Sequence, residues 1–361
     1  MTEPLFASAS PVFTVGDALV RELARDCVRL EISEDVQGLR TLRGHFTAVG
    51  GQATGPPGPL LYLDGDRVDF GRRLRVSVGA QGAQRYVFDG VVSAIEAELG
   101  DGEPPIVVLH AEDALMRLRM TRRMRTYRDM TDADIVRELA DAHGLKADAT
   151  AAGPRYDVVQ QLNQSDLAFL RERARLIQAE LWCTGDELHL SARAGREATS
   201  LTLVHGDHLL SVRLCADLAH QRNAVVVTGY DAAREAVIHE EAGPDAVEAE
   251  VTGGRTGPRL VARALGESVS YRVREAALTS EEAAAWARAE MLRRARRFVT
   301  VAGTTRGSPD MIVGSRLTLR RVGVPFEGPG YYVTRVTHAF DNVHGLRTRF
   351  EAERATLNEV S

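Results

Sequence analysis

Two pairs of short stretches decide the fold: "RLRVSVG" (Arg73–Gly79) followed by "YVFDGVVSAI" (from Tyr86), and "RLTLRRVG" (Arg316–Gly323) followed by "YYVTRVTHAF" (from Tyr331). Each run is rich in β-branched or alternating apolar residues, the pattern of a half-buried strand. Aligned from the tyrosines, Val91 meets Val336 and Ala94 meets Ala339. A fainter echo precedes each copy: "VRLEISEDVQGLRTLRGH" (Val28–His45) against "VRLCADLAHQRNAVVVTGY" (Val212–Tyr230). Self-similarity of this kind reads as two related β domains. The second copy is the longer one, and its surplus contains a helix beginning near Ser280.

The rest of the N-terminal third is also β in character, with "CVRLEIS", "LRGHFTAV", "LLYLDG" and "IVVLHA" as short strands. "VGGQATGPPGP" (Val49–Pro59) is a loop by composition. Between the two β regions the period changes. In "TDADIVRELADAHGL", Thr131 or Asp132 caps a helix whose face is Ile135, Leu139 and Ala142, and Gly144 stops it. In "VVQQLNQSDLAFLRERARLIQAELW" (Val158–Trp182) a strand runs into a helix capped by Ser165. Leu167, Leu170, Ala174 and Ile177 form its apolar face, and Arg171, Glu172, Arg173 and Arg175 mostly point elsewhere. The strand "ELHLSA" follows. On the Ser280 helix, Trp286, Ala289, Leu292 and Ala295 make a packing face.

The expected fold class is therefore α+β, mainly β. Two similar antiparallel β-barrel domains span residues 1–125 and 201–361. An α/β domain fills residues 126–200, and a helical insertion interrupts the second barrel at about 255–300.

Bulk properties narrow the function. The 361 residues are 44% hydrophobic and 26% charged, with a net charge of -5, which offers no general attraction for nucleic acid or anionic membrane. No apolar run is long enough to cross a bilayer, and the N-terminus lacks the order of a signal peptide. Synthesis in a cytoplasm is expected. Cys27, Cys183 and Cys215 are far apart and odd in number, which argues against a disulfide framework or zinc site. Lys146 is the only lysine, so arginine counts carry less weight than usual.

Motifs of catalysis are missing. There is no GK[ST] phosphate loop, no GxGxxG opening a helix, no HExxH and no serine in GxSxG. His205 and His208 flank Gly206-Asp207 without a third ligand nearby and read as turn residues. His338 and His344 read as inner-face or loop histidines, and the pair Glu240 and Glu241 as part of a solvated acidic connection. No catalytic residue, cofactor or metal is expected. The strongest local charge feature is "RLRMTRRMRTYRD", with Arg117, Arg119, Arg122, Arg123, Arg125 and Arg128. It reads as a linker or a protein interface. Nucleic-acid binding is the weaker alternative, because the chain is acidic and stacking aromatics are missing.

"TDADIVRELADAHGL", "NQSDLAFLRERA" within the capped-helix stretch, and "EGPGYYVTRVTHAFDNVHGLRTRFEAER" (Glu327–Arg354) together resemble the phage late-control D family. These are baseplate hub proteins of contractile phage tails and injection systems, similar to the N-terminal hub portion of type VI secretion VgrG spike proteins. The resemblance runs from about residue 20 to the end. It implies a structural, non-enzymatic hub: a homotrimer of paired barrels adapting a six-fold tail tube to a three-fold spike. Its implied partners are itself, the spike protein, the tail tube protein and other baseplate proteins, with no nucleic acid and no membrane insertion. The implied destination is a tail or injection-system particle, with release from the cell in assembled form as an implied alternative. A cell-wall hydrolase attached to a baseplate is a second alternative. Two departures stand out. Relatives often place a glycine after the Ser165 helix, where this chain has Gln178-Ala179-Glu180. The chain also stops soon after Arg354, so on this resemblance the spike is a separate polypeptide.

Overall fold

The structure is a computed structural model that describes residues 10–49, 60–79 and 84–359. Most of the loop expected at Val49–Pro59 lies outside the described residues. The first unit comprises β1 (Val12–Val15), β2 (Ala18–Leu19), α1 (Arg21–Asp26), β3 (Cys27–Asp35), β4 (Thr41–Thr47), β5 (Arg73–Val78), β6 (Arg85–Glu98) and β7 (Ile106–Glu112). Its hydrogen-bonded order is β3-β4-β7-β6-β5-β1-β2, antiparallel throughout. Period-2 alternation turns Leu30, Ile32, Leu42, Leu74 and Leu109 to one side. The sheet curls until Phe13 meets Phe46 edge-on at 5.3 Å between ring centres. The result is a barrel-like core.

"LLYLDG" is not a strand. Its Tyr62 takes φ 68° and buries its ring in this core, with the hydroxyl donating to Asp26 at 2.5 Å. Filling the core outweighed strand propensity there.

The middle of the chain holds α2 (Leu115–Met120), β8 (Arg122–Thr131), α3 (Asp132–Ala142), β9 (Lys146–Ala149), β10 (Arg155–Ser165), α4 (Asp166–Leu176), β11 (Ala179–Thr184) and β12 (Glu187–Ala192). β8 and β10 pair as an antiparallel ribbon. β12 lies between β11 and β9. Thr131 forms a reciprocal capping box with Asp134, and the Ser165 hydroxyl accepts from the Ala168 amide. Both caps are those expected. Arg173 differs from expectation. It points inward, bonds buried Asp132 at 2.6 Å and stacks on Tyr156.

β13 (Ser200–Val204) and β14 (Leu209–Ala216) open the second unit. The chain then leaves it through β15 (Ala224–Asp231), β16 (Ala236–Ala242), α5 (Asp245–Glu248), β17 (Arg255–Thr256), α6 (Gly257–Leu265), β18 (Val269–Ala277) and α7 (Ser280–Arg296). It returns as β19 (Val299–Arg306), β20 (Arg316–Arg320), β21 (Gly328–Asp341), β22 (Gly345–Arg354) and β23 (Thr356–Leu357). The excursion is larger than a helical insertion. β15 pairs with β16 and β18 in a separate sheet, on which α7 lays Ala283 and Ala287 and Met291 and Leu292.

The second unit runs β14-β19-β22-β21-β20-β13, the same path as β3-β4-β7-β6-β5-β1. Irregularities recur at matching places. Bulges fall between Cys27 and Arg29 on β3 and between Leu209 and Ser211 on β14. They recur between Val92 and Ala94 on β6 and between Val333 and Arg335 on β21. Val92 bonds Gly71 and Arg72 just as Val333 bonds Gly314 and Ser315. One difference is that β13 runs parallel to β20, whereas β1 is antiparallel to β5.

These matches correct the repeat alignment. Val91 corresponds to Tyr332 and Ala94 to Arg335, not to Val336 and Ala339. β4 corresponds to β19, so "NAVVVTGY" is no echo of it. The tyrosines misled because strand patterns tolerate slips of an even number of residues, which preserve the faces.

Candidate functional site: the seam between the units and two open sheet edges

β21 is long enough to serve two partners on one edge. Its first residues pair with β20 and its last with β3, from Arg335 opposite Asp35 to Asp341 opposite Arg29. This ladder fuses the two units into one continuous sheet. On the outer face Ser33 and Thr337 bring their hydroxyls to 3.0 Å, Arg335 reaches Asp35 at 3.2 Å and Arg349 reaches Glu31 at 2.7 Å. On the inner face Phe340 enters the core of the first unit. His338 is buried opposite Ile32, with Nδ1 3.1 Å from the Thr348 hydroxyl. Burial, helped by the Arg40 charge, pushes its imidazole down to about 4, so it is neutral near pH 7.

Behind the seam lies a buried ionic network. Glu34 accepts from Arg196 at 2.6 Å and also pairs with Arg40. Burial alone would raise the Glu34 carboxyl, but the two guanidiniums outweigh it and hold it below the usual carboxylate range. Arg196 continues to Glu180 at 3.2 Å and lies over Trp182. Glu180 accepts from the Tyr332 hydroxyl at 2.5 Å and from Arg193, and Arg193 pairs with Glu353 at 2.6 Å. The first unit (Glu34), the α/β piece (Glu180, Arg193, Arg196) and the second unit (Tyr332, Glu353) are thus locked together by charge-assisted bonds in fixed geometry. The network was not anticipated from the sequence. Its one legible signal is Glu34, a carboxylate on the apolar register of "CVRLEISED".

Two edges lack what the seam has. Beyond Val92, the edge of β6 that corresponds to the β3-binding edge of β21 has no strand partner among the described residues, and neither has the outer edge of β14. Leu99, just after β6, is 70% exposed. Arg213 and Cys215 on β14 are exposed, and Val212 and Leu214 are half-buried. Unpaired edges of this kind template the addition of another strand.

The six arginines singled out by their charge form no linker. Arg117 and Arg119 lie on α2, and Arg122, Arg123, Arg125 and Arg128 on β8. Most face acids or carbonyls of the same chain. Arg119 pairs with Glu112 at 2.6 Å, Arg117 lies 3.9 Å from Asp186, and Arg125 meets Glu138. Arg122 donates to the Asn163 carbonyl. Arg123 bonds fully buried Asp166 at 2.9 Å, which also meets His143 at 2.7 Å. Arg128 is exposed.

His205 and His208 sit in the tight turn between β13 and β14, where Gly206 takes φ 87°. Among the described residues no group of three or more His, Cys, Asp or Glu could hold a metal. Nor is any of their helices long and apolar enough to cross a membrane. An open cleft of about 860 Å³ runs between α4 and β14, with charges of both signs, among them Arg171, Glu172, Arg213 and Glu351.

This duplicated, curled sheet, joined through one strand and backed by an α/β piece, is a fold shared with solved phage tail proteins and a type VI secretion component. The 43 kDa tail protein of prophage MuSo2 from Shewanella oneidensis shares it at TM-score 0.68 and 14% identity over 96% of this chain and 98% of that one. So does the tail protein from Neisseria meningitidis MC58, at 0.64 and 12% over 96% of each chain. The E. coli c3393 protein, a component of the type VI secretion system, matches at 0.56 and 12% over 93% of this chain and 76% of that one. The model of the Alg8 N-terminal domain family matches residues 64–342, and the chain belongs to that family. No curated protein sequence matches it.

Proposed function

We propose that this protein is the structural hub of a contractile tail or injection-system baseplate, a homotrimer that joins a six-fold tail tube to a three-fold spike. The observation carrying the reading is the duplication. Two units with one strand order and the same bulges let three chains offer six near-equivalent surfaces to a six-fold ring. The unlike parts, the α/β piece and the β15–α7 excursion, occur once per chain and suit a three-fold partner. The ionic network serves such a role, because an adaptor under load needs its units held at a fixed angle. The likeness to tail proteins and to a type VI secretion component supports a structural part in a particle rather than catalysis. The same reading makes the tube protein, the spike and neighbouring baseplate proteins its partners. The arginine-bearing α2–β8 segment, with Arg128 exposed, is the proposed contact with one of these.

The test is mass by light scattering, for the chain alone and with its cognate spike and tube proteins. Three chain masses and retention of both partners are expected. A chain that stays monomeric at high concentration and binds neither partner overturns the reading.

A further inference from the structure

Resting on the trimeric reading, we propose that copies of this chain join by a specific strand pair: residues 94–100 of one copy against residues 211–217 of the next, antiparallel, repeating the seam inside the chain. The correspondence between the units fixes the register. β6 maps onto β21 through the shared bulge and the shared Val92 and Val333 bonds, and β14 maps onto β3 through theirs. Carrying the pairs of the β21–β3 ladder across this map sets Leu99 opposite Val212, Ala97 opposite Leu214, Glu98 opposite Arg213 and Glu96 opposite Cys215.

Three independent features fit this register. Leu99 takes the place of Phe340, which is 7% exposed because it plugs the adjoining unit, whereas Leu99 is 70% exposed in the single chain. Val212 and Leu214, the residues it would meet, already lean on the second core without being fully covered. Glu98 and Arg213 are of opposite charge directly across the pair, a favourable cross-strand match. The hairpin after β6 is also the right length, since Glu98 pairs with Ile106 as Ala339 pairs with Arg347. Because the described residues of each copy leave one free edge of each kind, the contact is head-to-tail and generates a ring when its rotation closes.

Cys215 makes the register directly testable. It replaces Ser33 in the map and Glu96 replaces Thr337, and in the seam those two side chains touch at 3.0 Å. In the assembled protein Glu96→Cys is expected to form a disulfide with Cys215 of the neighbouring copy, giving covalent trimers on a non-reducing gel. The bridge is lost with Cys215→Ser and at least tenfold weaker for Ala94→Cys or Glu98→Cys. Leu99→Asp is expected to abolish the trimer while leaving the melting temperature of the monomer unchanged, because the side chain is exposed there. Trimers by mass that do not cross-link at this pair, or that tolerate Leu99→Asp, overturn the register and leave the hub reading standing. A wild-type chain monomeric even with spike and tube present overturns both.

Discussion

Arg196 donates a 2.6 Å hydrogen bond to Glu34, which precedes it by 162 residues, and both side chains are buried. The same guanidinium reaches Glu180 and stacks on Trp182, so one planar fork serves two carboxylates and an aromatic face. Removing it leaves buried negative charge short of a partner, and breaking such a pair costs about 3 kcal/mol. Arg196→Met is expected to lower unfolding free energy by that amount in a urea titration. Arg196→Lys should recover little, since a point charge cannot bridge both carboxylates and stack. A loss below about 1 kcal/mol would show that Arg40 and Arg193 suffice.

Acid should weaken the seam through His338. Its imidazole titrates near 6.5 when unfolded and only at about 4 when folded. Between those values the unfolded chain binds the extra proton, so this contribution to stability falls as pH drops. Asp113, pushed up to about 7 by burial, slopes the other way, because its stabilisation is lost as pH rises through 7. The measurement is therefore the difference between wild type and His338→Gln. It should shrink by about 2 kcal/mol from pH 7 to pH 5, and a flat difference counts against a neutral buried imidazole.

Gly44 and Gly303 occupy the same position in the two units, opposite Leu30 and Val212. A Cβ at Gly44 would come within 2.7 Å of the Phe46 ring, and one at Gly303 within 2.7 Å of Phe350. Different phenyl rings thus fill the same hollow. Gly44→Ala and Gly303→Ala should each destabilise by about 2 kcal/mol through overpacking, read as a lower thermal midpoint. Tolerance at either position would mean its ring can turn away.

Gln178 follows α4 with φ 56°, in the left-handed region usually taken by glycine. The backbone turn is that of a glycine stop built without glycine, and the side chain accepts from Arg296 at 3.0 Å. Gln178→Gly should stay within about 0.5 kcal/mol of wild type, strain relief offsetting the lost bond. Gln178→Val should cost more than about 1 kcal/mol, since a β-branched residue tolerates this region poorly. Equal stability of the two variants would contradict this account.

Several features were legible in the sequence because they are local. The Thr131 and Ser165 caps, the packing face of α7 and the alternation of the β strands depend on neighbours a few residues away, and the structure has them as expected. The duplication was legible in outline. Its alignment was not, because period-2 patterns survive a four-residue slip and only ladder pairing reveals the matching bulges.

The chain's own pattern determined a mostly β protein with an α/β piece, rich in charge and duplicated in outline. Tertiary structure alone decided that Arg173 turns inward to Asp132, that Arg123 serves buried Asp166, and that Glu34, Glu180 and Arg196 meet behind the seam. Those contacts join residues far apart in the chain, and their energies come from burial and pairing that no local pattern encodes. The same is true of the open edges of β6 and β14. A strand announces its faces in its sequence, but whether its edge is covered depends on what folds beside it.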